Sequence, residues 1–592
     1  MMTNKRLLLL TTTLSMATLA ACSWLPKWGS EKARPETVPV YDLVIAGGTV
    51  YDGSGGEPLV GDVAIKGDRI AFIGPRATGS AKMTIDAKGK AVSPGFVNML
   101  SWATDSLIID GRGQSDLRQG VTLEVMGEGW SMGPLNDDMK TKSEQRQGDI
   151  KYKIDWTSLG QYLEKLETKG VSMNVASFVG ATTVRIHELG ENDVQPSDAQ
   201  LQRMRALVRS AMEEGAMGLG SSLIYAPASY AKTGELVALA DEAARCGGMY
   251  ISHMRSEGNR INQAVDELVS ISRNAGLPAE IYHLKFGGKP NWGKIDSVLA
   301  QIDKARAEGL RVTADMYMYP AGATGLDAAM PTWVQAGGLE KWIERLKDPK
   351  IRKKVIAEMR SPNNDWENLM RHAGAEGTMF LGFKTEKLKP LIGKRLSEVA
   401  AMRGKSAEDT AIDLVIEDGS RVDVAYFLMS EENISRQAAL PYVSFGSDES
   451  AQAPEGVFLE SSAHPRAYGN FARVLGKYVR DDKRLSLQEA VRRLAALPAS
   501  NLSIAERGML KTGYYADIVV FDPATVQDHA TFEKPQQFAT GVSEVVVNGT
   551  VALAKGEPTG ALPGRFVRGR AWSGAEGGGC RDKASAWTWA KN

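Results

Sequence analysis

The feature that most constrains this chain is a run of strand–helix units between residues 175 and 315, repeating roughly every thirty residues. Val175 to Val179 reads as a strand. Ser197 caps a helix that sets Leu201, Met204, Leu207, Val208 and Ala211 on one face. A strand from Met217 to Ile224 follows, then a helix from Glu235 to Arg245 that stops at Gly247-Gly248. The strand from Met249 to Ser252 ends at His253, and a helix runs from Ile261 to Arg273. The strand from Ala279 to Tyr282 ends at His283, a helix spans Lys294 to Glu308, and the strand from Arg311 to Ala314 ends at Asp315. Such alternation calls for parallel strands joined by crossover helices, and at this length for a closed α/β (β/α)8 TIM barrel.

The flanks have another character. Short strands and turns fill Tyr41 to Val92, and strands recur at Ile518 to Phe521 and Val545 to Val547, the latter turning at Asn548-Gly549. These ends predict a small β-sandwich domain built from both termini, residues 41–92 and 495–568, around a barrel at 93–494. Residues 335–440 break the rhythm and predict an inserted, mostly helical segment. Within it, Lys341 to Met359 and the amphipathic Trp366 to His372 read as helical, as does Leu396 to Ile416 with a break at Gly404. The strand Tyr442 to Phe445 resumes the barrel, and Leu487 to Leu494 is a late helix. The Gly- and Ser-rich end, 569–592, reads as a flexible tail.

Composition bounds the partners. Lys and Arg number 71 and so do Asp and Glu, so no excess of positive charge argues for nucleic acid. At the N-terminus, Lys5 and Arg6 precede a short apolar run that ends in Leu19-Ala20-Ala21-Cys22, the layout of a lipoprotein signal peptide over 1–22. A lipid anchor at Cys22, a tether over 23–40 and export to the outer membrane, facing the periplasm or cell surface, are the expectations; Ser23 after the cysteine favours that membrane. The other two cysteines, Cys246 and Cys580, allow one disulfide, which nothing in the sequence requires.

The chemistry-bearing residues sit at strand ends. Of six histidines, His253 and His283 directly follow predicted parallel strands, whose C-terminal ends converge in a barrel of this kind. One such histidine is ordinarily a satisfied polar residue. The pair, in register with Asp448 after the strand at 442–445, points to a metal site. Asp448 alone could as well cap the loop behind it. Beside a reactive water it could take a proton and return it to a leaving amine. Glu128, between Gly127 and Gly129 after the strand-like Thr122 to Met126, would read by itself as a solvated loop residue. His187 falls near a rim loop, whereas His372 and His529 follow no barrel strand.

Several blocks together resemble the N-acyl-D-amino-acid deacylases (D-aminoacylases) of the amidohydrolase superfamily. They are Pro94-Gly95-Phe96-Val97 with Gly120-Val121-Thr122, Ile224-Tyr225-Ala226-Pro227, Ser252-His253-Met254-Arg255-Ser256-Glu257, His283-Leu284-Lys285, Trp292-Gly293, Gly446-Ser447-Asp448 and His464-Pro465-Arg466. The closing run from Arg507-Gly508 to Asp522-Pro523, with Val547-Asn548-Gly549, completes a resemblance that spans about residues 41 to 568. It implies a zinc-dependent amidohydrolase acting on a small N-acyl amino acid. One departure stands out. The family places a His-x-His pair after the Pro-Gly-Phe block, and here Leu100 and Trp102 hold those positions. The region matching the family's thiolate ligand carries Glu128 and no cysteine. The resemblance therefore implies one Zn2+ held by Glu128, His253 and His283, with Asp448 as general base and acid. Lys285, Tyr317 and Arg466 match positions implied in substrate binding, and Arg255 is a further candidate. Two other readings stay open: a hydrolase of D-residue-containing peptides or cell-wall fragments, and a non-catalytic binding lipoprotein suggested by the lost histidine pair.

Overall fold

The computed structural model describes residues 39–362 and 365–581. Cys22, the expected signal segment and the tether as far as residue 38 lie outside the described residues. Eight parallel strands form the barrel: Phe96–Asn98, Val121–Met126, Asn174–Ser177 with its continuation Val179–Gly180, Gly218–Ser222, Met249–His253, Ala279–Ile281, Val312–Met316 and Val443–Phe445. They pair in two arcs, one of the first three strands and one of the other five with Val179–Gly180. The arcs close on one side through Met217 N–H to Ser177 O, and on the other through Met99 N–H to Phe445 O and a parallel bridge between Ser101 and Glu449.

Each crossover helix forms for local reasons and then buries one face. Asp198–Glu214 starts in a capping box in which Ser197 and Gln200 satisfy each other's backbone N–H groups, and it ends at Gly215 with φ 114°. Ile261–Ala275 buries Ile261, Val265, Leu268 and Val269 against the strands. Side chains of this kind are worth roughly 1.5–3 kcal/mol each when fully buried. Alternate strand residues divide between two clusters. Leu219, Tyr250, Ala279 and Ile281 join the large cluster with the helices, while Val97, Leu123, Val125, Phe178, Met249, Ile251 and Tyr282 form the other. That division is the period-two pattern of strands buried on both faces.

The ends of the chain meet in one sheet of nine strands. Ile518–Phe521 lies antiparallel to Ala91–Pro94, which joins the N-terminal strands Val40–Val50, Leu59–Lys66, Arg69–Gly74 and Ser80–Asp86 to the C-terminal strands Val542–Val547, Thr550–Ala554 and Glu557–Pro558. The expected turn at Asn548-Gly549 has φ 48° and 78° at its two residues.

Three expectations need correction. The predicted helix from Lys341 to Met359 is two helices, Leu339–Leu346 and Pro349–Arg360, because Pro349 cannot continue a helix and instead opens the second one under the Asp348 cap. The insertion also begins before residue 335, since Ala321–Gly325 pairs with Asp423–Phe427, and that strand with Thr378–Gly382, in a three-stranded antiparallel sheet. These five-residue runs are too short to show a period. Finally, 569–581 is not a loose tail. Cys580 is disulfide-bonded to Cys246, Gly569 N–H bonds Gly215 O, and Ser573 N–H bonds Glu213 O, so the segment is fastened to the barrel. Composition cannot reveal such pairing across 334 residues.

Beneath the strand ends, Glu280 is fully buried and accepts hydrogen bonds from Asn501, Thr313 and Ser444. Burial pushes its carboxyl up to about 7. A carboxyl raised in the folded state opposes folding increasingly as pH rises from its unfolded value near 4.5 to 7, and by a constant amount above that. The Glu280→Gln variant should therefore gain stability relative to the native chain between pH 4.5 and 8, by about 3 kcal/mol. Urea unfolding of both proteins at several pH values measures this; a pH-independent difference refutes it.

Candidate metal centre and active-site cavity

Three side chains from distant parts of the sequence converge at the C-terminal end of the barrel. Glu128 follows the second strand, His253 ends the fifth, and His283 lies just past the sixth. Glu128 Oε1 stands 3.0 Å from His253 Nδ1 and 2.9 Å from His283 Nε2. All three residues are buried, and among the described residues they are the group of three or more His, Cys, Asp or Glu side chains gathered closely enough to hold one cation.

The local backbone explains the aim of these groups. Gly127 and Gly129, at φ 104° and 70°, let the Glu128 turn pass within van der Waals reach of Phe178 and Ser222, where a Cβ would clash. His283 takes φ 34° and Asp448 φ 53°, a region that non-glycine residues seldom adopt. The carboxylate of Asp315 holds the first of these by accepting His283 N–H at 2.8 Å. Asp448 is held by donating its own N–H to Leu100 O at 2.8 Å. Strained backbone of this kind persists where the surroundings over-determine it.

Charge organises the site. Burial alone would raise the Glu128 carboxyl, yet the two imidazoles hold it far below the usual carboxylate range. Burial and Lys285 push the His283 ring down, but Glu257 and Glu128 outweigh them and raise it to about 10. Glu257 backs both rings, with Oε1 3.0 Å from His283 Nδ1 and Oε2 3.5 Å from His253 Nε2. The donor set suits a divalent cation: one carboxylate oxygen and two imidazole nitrogens facing a common point, in a pocket rich in negative charge. The carboxylate behind the histidines is the partner that orients and strengthens such ligands.

Asp448 lies next to this cluster. Its Oδ2 is 2.7 Å from Arg466 Nη1, and its Oδ1 accepts the indole N–H of Trp102 at 3.1 Å. Burial raises its carboxyl, opposed by Arg466 and reinforced by Glu128. Arg466 packs its guanidinium 4.3 Å from the centre of the Tyr317 ring, and its position follows from His464, which accepts Arg466 N–H and meets Ala321 O through Nε2. These residues line a cavity of about 420 Å³ whose far wall, with Thr324, Leu369, Arg421 and Leu428, comes from the insertion.

Seven of the eight residues singled out by sequence thus line one cavity: Glu128, His253, His283, Asp448, Lys285, Tyr317 and Arg466. Lys285 lines the cavity with Nζ 2.7 Å from both Glu257 Oε1 and His283 Nδ1, contacts that occupy two of its three N–H donors. Arg255 is a correction. It points away, bonding Glu267 and the carbonyls of Ser229 and Ala231, because the strand ends at His253 and the chain leaves the strand direction before Arg255. Glu257, Asp315, Tyr225 and Trp102 belong to the site and were not singled out as site residues. The signal available for Glu257 was its spacing four residues after His253.

Replacing Glu257 by Gln should weaken divalent-metal affinity by roughly 10- to 100-fold without unfolding the protein, because the ligand rings lose their anionic partner. Chelator competition followed by metal analysis reads this; unchanged affinity removes Glu257 from that role.

Comparison with known proteins gives the same picture. Residues 83–553 match the amidohydrolase family. N-acyl-D-glutamate deacylase of Alcaligenes xylosoxydans xylosoxydans is 32% identical over 530 residues, 89% of this chain and 96% of that protein. A structure of N-acyl-D-glutamate deacylase from Bordetella bronchiseptica, complexed with zinc and a phosphonate mimic of the tetrahedral intermediate, superposes with a TM-score of 0.72 at 28% identity, covering 90% of this chain and all of that one. A D-aminoacylase structure on the role of its binuclear metal centre, described as one-metal activation and second-metal attenuation, gives 0.73 at 31% identity, covering 89% of this chain and all of that one. Family match, near-complete coverage and a converged ligand cluster agree: the chain belongs to the amidohydrolase family, in its D-aminoacylase branch, and is a metal-dependent hydrolase.

Proposed function

We propose that the protein removes the acyl group from N-acyl-D-amino acids using a single zinc ion held by Glu128, His253 and His283. The observation that carries this reading is that those three ligands and the carboxylate of Asp448 meet in one buried cavity. The relatives named above act on N-acyl-D-amino acids or bind zinc, which supports both the substrate and the ion.

A zinc ion held there by Glu128, His253 and His283 would supply Lewis acidity toward a carbonyl and a water. Asp448 accepts the proton of the attacking water and returns it to the departing amine nitrogen. Burial moves its carboxyl up toward the neutral range, which makes it a better proton acceptor than an ordinary carboxylate while leaving it able to donate. Arg466 receives the substrate carboxylate. Its Nε has no hydrogen-bond partner, so one edge of the guanidinium remains to grip an anion. Tyr317 supports that guanidinium from below and closes the wall. Lys285 holds Glu257 and His283 and turns its remaining donor to the substrate.

The sequence features at Lys5, Arg6 and Leu19 to Cys22 support export and anchoring through lipid at Cys22. The Cys246–Cys580 disulfide supports an oxidising compartment such as the periplasm.

Two measurements test the proposal. Purified protein should hydrolyse N-acyl-D-amino acids and leave the L-enantiomers, and Asp448→Asn should lose about 10²- to 10⁴-fold in kcat while keeping its metal. Equal turnover of both enantiomers, or none across a D-series, rejects the substrate assignment. For the anchor, Cys22→Ser should shift the protein from the membrane to the soluble fraction of cells; a soluble native protein rejects it.

A further inference from the structure

We infer that Trp102 is a positioning residue that replaces a second cation: its indole N–H bridges Glu128 and Asp448 and keeps the site to one metal ion. The inference rests on the metal-site reading above and extends it. Trp102 Nε1 lies 3.0 Å from Glu128 Oε2 and 3.1 Å from Asp448 Oδ1. Two carboxylates so close to one point repel each other, and the usual remedy is a cation between them. Here one shared N–H stands at that point.

The placement is built. The Trp102 backbone N–H bonds Glu449 O at 2.9 Å, its carbonyl accepts Ser450 Oγ at 3.2 Å, and the preceding Ser101 N–H bonds Val125 O at 2.9 Å. The ring is therefore clamped between the ends of the second and eighth strands. The neighbouring Leu100 is fully buried and has no atom that could ligate. Its carbonyl instead fixes Asp448 by accepting that residue's N–H.

Two consequences follow for the reaction. Glu128 has Oε2 occupied by the indole, so Oε1 alone faces the histidines, which fixes which oxygen serves as ligand. Asp448 is held between the indole on Oδ1 and Arg466 on Oδ2, so its carboxylate plane is set before substrate arrives. An indole N–H, unlike a metal ion, cannot dissociate or be titrated in.

Metal counting tests this independently of activity. The native protein should bind one zinc per chain by elemental analysis and calorimetric titration, and keep its activity in tenfold excess zinc. Trp102→Phe keeps the ring and removes the donor. It should retain one tight zinc and an unchanged KM within about twofold, while kcat falls by roughly 10- to 100-fold. Trp102→His supplies an imidazole at the same point and should admit a second zinc equivalent. Two zinc ions in the native protein overturn the inference, as does a Trp102→Phe variant with native kcat. The native stoichiometry stands as a test even where a variant does not fold. An outcome of one zinc with no D-amino-acid deacylation would sink the proposed substrate and leave the role of Trp102 standing.

Discussion

The structure depends on keeping a buried cluster of like charges at the mouth of the barrel. Glu128 and Glu257 are buried carboxylates and Asp448 a largely buried one on the wall of the cavity, where an unpaired charge out of water is costly. Each has a specific answer: two imidazoles for Glu128, Lys285 for Glu257, Arg466 for Asp448, and the indole of Trp102 between the first and the last. The chain of contacts from Arg466 through Asp448, Trp102, Glu128 and the histidines to Glu257 and Lys285 is continuous. A divalent cation held by Glu128, His253 and His283 would add one more positive charge to this network.

The barrel makes that arrangement possible. Parallel strands joined by crossover helices bring their C-terminal ends to one rim, and residues far apart in sequence become neighbours there. The small sheet of both termini does its work elsewhere, fastening the start and end of the chain to each other at Ala91–Pro94 and Ile518–Phe521. The insertion supplies one wall of the cavity with Thr324, Arg421 and Leu428, so that wall belongs to the least regular part of the chain. The Cys246–Cys580 bond then secures the end of the chain to the barrel's outer layer.

Departures from the family pattern become coherent in three dimensions. Leu100 and Trp102 cannot bind zinc, and in sequence they look like the loss of a site. In the fold the indole of Trp102 turns into the site and donates its N–H to both Glu128 and Asp448. Glu128, in the region that matches the family's thiolate, faces the two histidines with one oxygen and accepts the indole N–H on the other.

Much was legible in the amino-acid order because it rests on local rules. The period of the βα units, the Ser197 cap, the Gly stops and the histidines at strand ends follow from backbone geometry that acts over a few residues, and they led to the barrel and to Glu128, His253, His283 and Asp448 as candidates. What only the tertiary structure decided is who faces whom. Arg255, two residues from His253, turns out of the cavity, whereas Trp102 turns into it. The short strands of the insertion, too brief to carry a period, form because partners from elsewhere supply their hydrogen bonds. Direction and partnership are set by packing between distant segments, and no local pattern encodes them.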